Sequence, residues 1–305
     1  MDSKQFFGAA RLVIVAGKGG VGKTTVTAVI AHAAAAAGLR VLAVDLEGKP
    51  VLHDLLAVGD RENPIEVTTI TAPEALADYL DAHGLKRVSR RLASSGIIDV
   101  VATAAPGIDD IVVLGKLKQL ERDESYDLVV VDGPAAGHAI TFLLAARGLM
   151  DTVRSGPIRT QAQDVLEMFA DPTRCQVILV GLPEATPINE LVETAYAVEE
   201  QVGVQLGPLI INGVDPGPTV DASVLGSAVV DNPLVDNPLV DSPLAEAAAF
   251  RNHRIASQHA ELDRLSNELA LERIVLPQLP VAGITIADLD VLADALRSQI
   301  AELVG

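Results

Sequence analysis

The sequence predicts an α/β fold: a doubly wound, mostly parallel sheet with helices on both faces. Three observations predict it. Apolar, β-branched runs of the buried-strand type recur along the 305 residues, as RLVIVA at 11–16, RVLAVDL at 40–46, YDLVVV at 126–131 and QVILVG at 176–181. Helix-patterned segments separate them, and strand–helix alternation is the signature of parallel crossovers. The first run opens into a glycine-rich loop and two others end in acid, at the carboxyl ends of strands where such sheets collect ligands. No convincing second-domain boundary interrupts the pattern. Residues 1–305 read as one domain, with short helical insertions about 72–120 and 151–172 and a Pro-rich repeat loop at 230–244.

The loop after the first strand is GKGGVGKTT, residues 17–25, and it fits G-x-x-x-x-G-K-[ST] at Gly17, Gly22, Lys23 and Thr24. Strand, loop and a small-residue helix at 26–37 follow in the order a phosphate-binding loop requires. Glycines let backbone N–H groups turn in around an anion, and the following helix directs its partial positive end to the same place. Gly19, Gly20, Val21, Gly22, Lys23, Thr24 and Thr25 are therefore candidate nucleotide-binding residues. Lys23 would reach the β- and γ-phosphates of ATP, and the Thr24 hydroxyl would hold Mg²⁺. A glycine turn without a ligand is the competing reading.

The remaining elements follow in order. Gly38 is suited to cap the first helix, and the second strand runs into Asp45-Leu46-Glu47-Gly48-Lys49-Pro50. Glu47 is placed to orient a water for in-line attack or to reach Mg²⁺ through water, against the alternative of a solvated turn acid. A short strand is expected at 65–70. A helix at 73–92 carries Lys86, Arg87, Arg90 and Arg91, a cluster that reads more simply as a solvated face than as an acidic-partner contact. AAPGIDD at 104–110 starts a helix through about Leu120, with acids in its first turn. The strand at 126–131 ends in Asp132-Gly133-Pro134-Ala135-Ala136-Gly137-His138. Asp132 has the position of the acid that holds Mg²⁺ in phosphate-loop proteins, and the glycines after it permit a loop that senses the γ-phosphate. Helices are expected at 140–150, 161–170 and 187–203, and strands at 176–181 and 207–212. Asn212 at the last strand's edge could read the N6 and N7 edge of adenine or simply form a turn.

Residues 230–244 repeat VDNPL, VDNPL, VDSPL. A period of five suits neither helix nor strand, so a duplicated surface loop is expected. A long helix at 244–271, a short strand at 274–276 and a closing helix at 286–304 complete the chain.

Composition narrows the partners. Lys and Arg number 23 against 41 Asp and Glu, a net charge of −18 that repels nucleic acid and anionic lipid. Trp is absent and aromatics are 3%, so base-stacking platforms are not expected. The single cysteine, Cys175, rules out an intrachain disulfide and a cysteine-pair zinc site within one chain, and a cytoplasmic location fits. No signal peptide or membrane-length apolar segment is visible, so no stable membrane insertion is expected.

GKGGVGKTT at 17–25, PGIDD at 106–110, D-x-x-x-x-G-H at 132–138, Asn212 and IVLPQLP at 274–280 together resemble the ArsA/Get-type, anion-transporting group of deviant-Walker-A ATPases. The resemblance implies a Mg²⁺-dependent, ATP-hydrolysing switch that pairs with a second ATPase subunit, as homodimer or paralogous heterodimer, and handles a protein partner or cargo. It implies that Lys18 reaches across the subunit interface to the partner's nucleotide, giving catalytic roles to Lys18, Glu47 and Asp132. Thr25 would contact the α-phosphate, and the adenine contacts map onto Asn212 and Pro277. The chain departs from the family where the first switch usually reads Asp-Pro-Ala-His and here reads Glu47-Gly48-Lys49-Pro50, an acid one methylene longer. The cysteines of the arsenite pump and of the tail-anchored-protein targeting factors have no counterparts. Two rival readings are a nucleotide-gated scaffold with little hydrolysis, which the longer acid favours, and a ParA/MinD-like positioning ATPase, which the acidic charge and the non-basic closing helix oppose.

Overall fold

A computed structural model describes residues 3–56, 65–85, 107–220 and 243–304. Lys86, Arg87, Arg90 and Arg91, Pro106 and residues 230–242 of the repeat lie outside the described residues. The strands are β1 (Leu12–Gly17), β2 (Val41–Asp45), β3 (Ile65–Thr69), β4 (Leu128–Ala135), β5 (Cys175–Gly181), β6 (Gln205–Leu206), β7 (Leu209–Val214) and β8 (Arg273–Pro277). They form one sheet in the order β3-β2-β4-β1-β5-β7-β8, with β6 beside β5, and each pairing is parallel. The doubly wound architecture expected from the strand–helix alternation is the one observed.

Period-two alternation divides the strand side chains between two cores. Leu12, Ile14, Leu42, Val44, Val129, Val131, Val177 and Leu179 face one side. There they pack under α4 (Ala72–Ala82), α5 (Ile108–Glu121), α6 (Ala136–Thr152), α7 (Pro157–Ala170), α8 (Ala185–Ala197) and α9 (Pro243–Glu268). Val13, Val15, Val41, Ala43, Val130, Ile178 and Val180 face the other, under α1 (Ser3–Phe7), α2 (Lys23–Ala36), α3 (Val51–Leu56) and α10 (Ile286–Val304). Strands buried on both faces explain why the runs read as continuously apolar rather than alternating.

Several helices have visible local causes. Thr71 caps α4, accepting from the backbone of Glu74, whose carboxylate reaches back to form a capping box. In α10, Leu289, Leu292, Leu296 and Ile300 recur at helical spacing and are buried, while Asp290 at the edge of that face meets His32 of α2 at 2.7 Å. The acidic helix expected through 203 is α up to Ala197 and then a π-helical turn, Val198–Val202. α3 was not expected from the sequence; at six residues it is too short for a periodic signal. Cys175 opens β5 fully buried, and burial pushes its thiol pKa far up, so it is held as a small apolar side chain. Among the described residues no helix is long and apolar enough to cross a membrane.

Candidate functional site

The order β2-β4-β1 puts the phosphate loop and both acids side by side, although β4 runs on through Ala135 and α6 follows at once, where the sequence suggested a strand ending at 131 and a loop. Val15 pairs with Asp132, and Asp132 with Asp45, so the two carboxylates sit level on neighbouring strands just below the loop that follows β1. Both acids are buried, at 2% and 7% exposure. Thr24, in the first turn of α2, donates its hydroxyl to Asp132 Oδ2 at 2.6 Å. Asp132 Oδ1 and Asp45 Oδ2 are buried without a protein partner. Burial pushes the Asp132 carboxyl up, against the Thr24 hydrogen bond and the Lys23 charge, which pull it down. Two unsatisfied carboxylate oxygens beside a threonine hydroxyl are a hard-oxygen donor set suited to Mg²⁺.

α2 starts at Lys23, next to Gly22 as the loop motif implied and three residues ahead of the apolar run at 26–37, because Gly22 caps it at φ 89°. A Cβ at Gly22 would stand 2.4 Å from Asn212 Nδ2, so this position excludes larger residues twice over, by conformation and by contact. That contact has a purpose: Asn212 Nδ2 donates to Val21 O at 3.0 Å, tying the end of β7 to the loop. A carbonyl only accepts, so the amide orientation is fixed and Oδ1 is left facing away as an acceptor.

Two adjoining cavities result. The first, about 290 Å³, is lined by Gly19, Gly20, Gly22, Lys23, Thr24, Glu47, Lys49, Asp132 and Gly133. Lys23 Nζ donates to Lys18 O at 3.3 Å, and burial lowers its pKa against the pull of Asp132 and Glu47. The second, about 310 Å³, is walled by Thr25, Asn212, Gly213, Pro277 and the turn through Leu279 and Ile284. Thr24 bounds one and Thr25 the other, so the two meet at the first turn of α2.

The structure thus brings together Gly19, Gly20, Gly22, Lys23, Thr24, Glu47 and Asp132 in one cavity and Thr25, Asn212 and Pro277 in the next. Val21 is buried beneath the loop and contributes its carbonyl. Lys18 is not with them. Its ammonium is paired with Glu190 of α8. Three participants escaped the sequence reading. Asp45 was passed over for Glu47, yet it accepts the Glu47 backbone N–H at 2.9 Å and so anchors the turn that carries it. Lys49 pairs with Glu47 in the wall of the first cavity. Glu190 is separated from Lys18 by 172 positions, and no local pattern links them.

Fold and loop together define a phosphate-loop nucleotide-binding protein. Residues 10–156 match the model of the anion-transporting ATPase family. ATPase BagA of Mycobacterium tuberculosis is 31% identical over 223 residues, which cover 66% of this chain and 64% of that protein. An uncharacterized Streptomyces coelicolor protein is 32% identical over 243 residues, 72% of this chain and 59% of its own. The arsenical pump-driving ATPase of Escherichia coli is 28% identical over 209 residues, 66% of this chain and 34% of that protein. Residues 10–156 thus carry the ArsA-type, anion-transporting ATPase domain. The chain spans just under two thirds of the length of the first of these relatives and about a third of the pump-driving ATPase.

Proposed function

We propose that this protein is a Mg²⁺-dependent ATPase that works as a nucleotide-driven switch between subunits. The observation that carries the reading is the Thr24–Asp132 pair, with its orphaned carboxylate oxygens, set against a glycine loop and Lys23 in one cavity. Backbone N–H groups of Gly19, Gly20 and Gly22 would cradle the phosphates, and Lys23 would neutralise the β- and γ-phosphates. Its lowered pKa fits a cation kept half-desolvated for that purpose. Thr24 and Asp132, with Asp45 behind them, would hold Mg²⁺, which supplies charge neutralisation of the phosphates when bound. Glu47 would position the attacking water, and Thr25, Asn212 and Pro277 the rest of the nucleotide. The Asn212 Oδ1 left as an acceptor could take a hydrogen bond from the N6 amine of adenine, where guanine presents a carbonyl oxygen that only accepts.

Lys18 would act in trans. Its pairing with Glu190 leaves it outside its own phosphate cavity, which supports a role at a second subunit's nucleotide. We place the cycle in the cytoplasm, acting on a protein partner or cargo that the acidic surface selects against nucleic acid.

The test is steady-state hydrolysis with Mg·ATP. Lys23→Ala should abolish nucleotide binding, whereas Lys18→Ala should keep binding and lose about 10³-fold or more in rate, the scale of charge donated in trans in related chemistry. Unchanged turnover in Lys18→Ala would sink the trans-lysine mechanism. The Lys49–Glu47 pair favours a second reading, a nucleotide-gated binding protein that hydrolyses slowly because its water-positioning acid is engaged. Single-turnover kinetics separates the two.

A further inference from the structure

The first-switch turn carries a cation for which the loop, the acids and Lys18 give no use. Lys49 lines the phosphate cavity with Gly19, Gly20, Lys23, Thr24 and Asp132. It is there because Gly48, at φ 70°, reverses the chain and brings the side chains of Glu47 and Lys49 together as an ion pair. The two ends of this turn are fixed. Asp45 Oδ1 accepts the Glu47 N–H at 2.9 Å, and α3 begins at Val51, pinned by the buried Leu52 and Leu56. Only the side chains are free to move: that of Lys49 is 69% exposed and that of Glu47 34%. An ion pair so exposed is held weakly and exchanges readily for a stronger partner.

ATP brings such a partner. The cavity wall already carries Glu47 and Asp132 against Lys23 and Lys49, and a triphosphate adds about three to four negative charges. On the ATPase reading, the γ-phosphate is the last of them and would lie beside the switch turn, whose Glu47 and Lys49 line the same cavity. We propose that Lys49 is a catalytic residue in cis, which holds Glu47 in the nucleotide-free protein and transfers to the γ-phosphate when ATP binds, releasing Glu47 to position water. This rests on the ATPase reading above. In the step itself the water oxygen bonds to the γ-phosphorus while the bond from that phosphorus to the β–γ bridging oxygen breaks, its electron pair leaving on ADP. Glu47 accepts a hydrogen bond from the water, whose proton ends on the released phosphate. Lys49 neutralises the equatorial oxygens from the switch side as Lys23 does from the loop side. The exchange makes the γ-phosphate itself the signal that frees the acid, so ADP leaves Glu47 engaged.

Calorimetric titration of the full chain with Mg·ADP and with a non-hydrolysable imido analogue of Mg·ATP tests this without turnover. The wild type should prefer the analogue. Lys49→Met should narrow the preference, weakening analogue binding more than ADP binding, with Lys23 still meeting the γ-phosphate, and Lys49→Arg should keep most of it. Glu47→Gln frees Lys49 and should tighten analogue binding by about two- to fivefold, the scale of an exposed ion pair. That gain should vanish in the Glu47→Gln, Lys49→Met double variant. A wild type without preference for the analogue, a Lys49→Met ratio equal to the wild type's, or a Glu47→Gln gain that persists without Lys49 overturns the proposal. A narrowed preference in Lys49→Met beside a wild type that fails to hydrolyse ATP would sustain the γ-phosphate contact and overturn hydrolysis instead.

Discussion

Asp45 and Asp132 are carboxylates that folding alone would not place where they are. Each is buried with one oxygen unsatisfied, Asp45 as the last residue of β2 and Asp132 level with it in β4, and like charges on adjacent strands repel. The sign of the resulting pH dependence is fixed by the Asp132 carboxyl, which burial raises above its ordinary value. A raised folded-state pKa means the penalty is absent below the ordinary carboxylate range and grows until pH passes the raised value. Asp132→Asn should therefore raise the melting temperature of the nucleotide-free protein at neutral pH, with the gain disappearing in acid. The same variant should lose the extra stabilisation that Mg·ATP gives the wild type, a difference that thermal scans with and without ligand would read. A destabilised nucleotide-free Asp132→Asn would mean that the acid is structural. At this scale the sequence was legible where chemistry follows a local motif, as at Lys23, Thr24 and Asp132. It was silent on Glu190, because a lysine's partner on a helix far along the chain leaves no spacing to read.

Among the elements, α9 and β7 are joined by one carboxylate. Asp215 accepts two hydrogen bonds from Arg251 at 2.8 and 3.0 Å, one from Arg254 at 3.1 Å and one from Gly217 N at 3.0 Å. Its own N–H donates to the buried Gln258 at 2.9 Å. Arg254 continues to Gln278 at 2.7 Å, so the cluster also buttresses the turn that walls the second cavity. The arginines hold the Asp215 carboxyl well below the usual range, so its stabilising effect is present above the ordinary carboxylate pKa and is lost as pH falls through the depressed one. Asp215→Ala should cost about 2 kcal/mol at neutral pH, measured by denaturant unfolding, from the loss of charge-assisted hydrogen bonds. It should also weaken nucleotide binding more than it changes the turnover of bound ATP. Strands and long helices were readable because burial on both faces and the spacing in α10 impose strong periodic patterns. The start of α2 was legible through Gly22 in the loop motif, whereas α3, at six residues, is too short to carry a periodic pattern.

For the whole molecule, the switch surfaces are held by ion pairs formed within one chain, Lys18 with Glu190 and Lys49 with Glu47. On the proposed reading, a second subunit would compete with the first of these. Glu190→Gln should lower the concentration at which the Mg·ATP-analogue-bound protein dimerises by about two- to fivefold, as sedimentation velocity would register, and added salt should narrow the difference from the wild type. Absence of a nucleotide-dependent dimer in both proteins would remove the trans role of Lys18. The chain also offers an unusual convenience for following such movements. Its one thiol, at Cys175, lies fully buried in β5 with a pKa far above that of a reactive cysteine. A fluorophore or spin label attached through a cysteine engineered at an exposed position, such as Leu85 or Phe250, would thus report from a single known place, with no native cysteine to remove first. Opening and closing between subunits could then be timed on an otherwise unaltered protein.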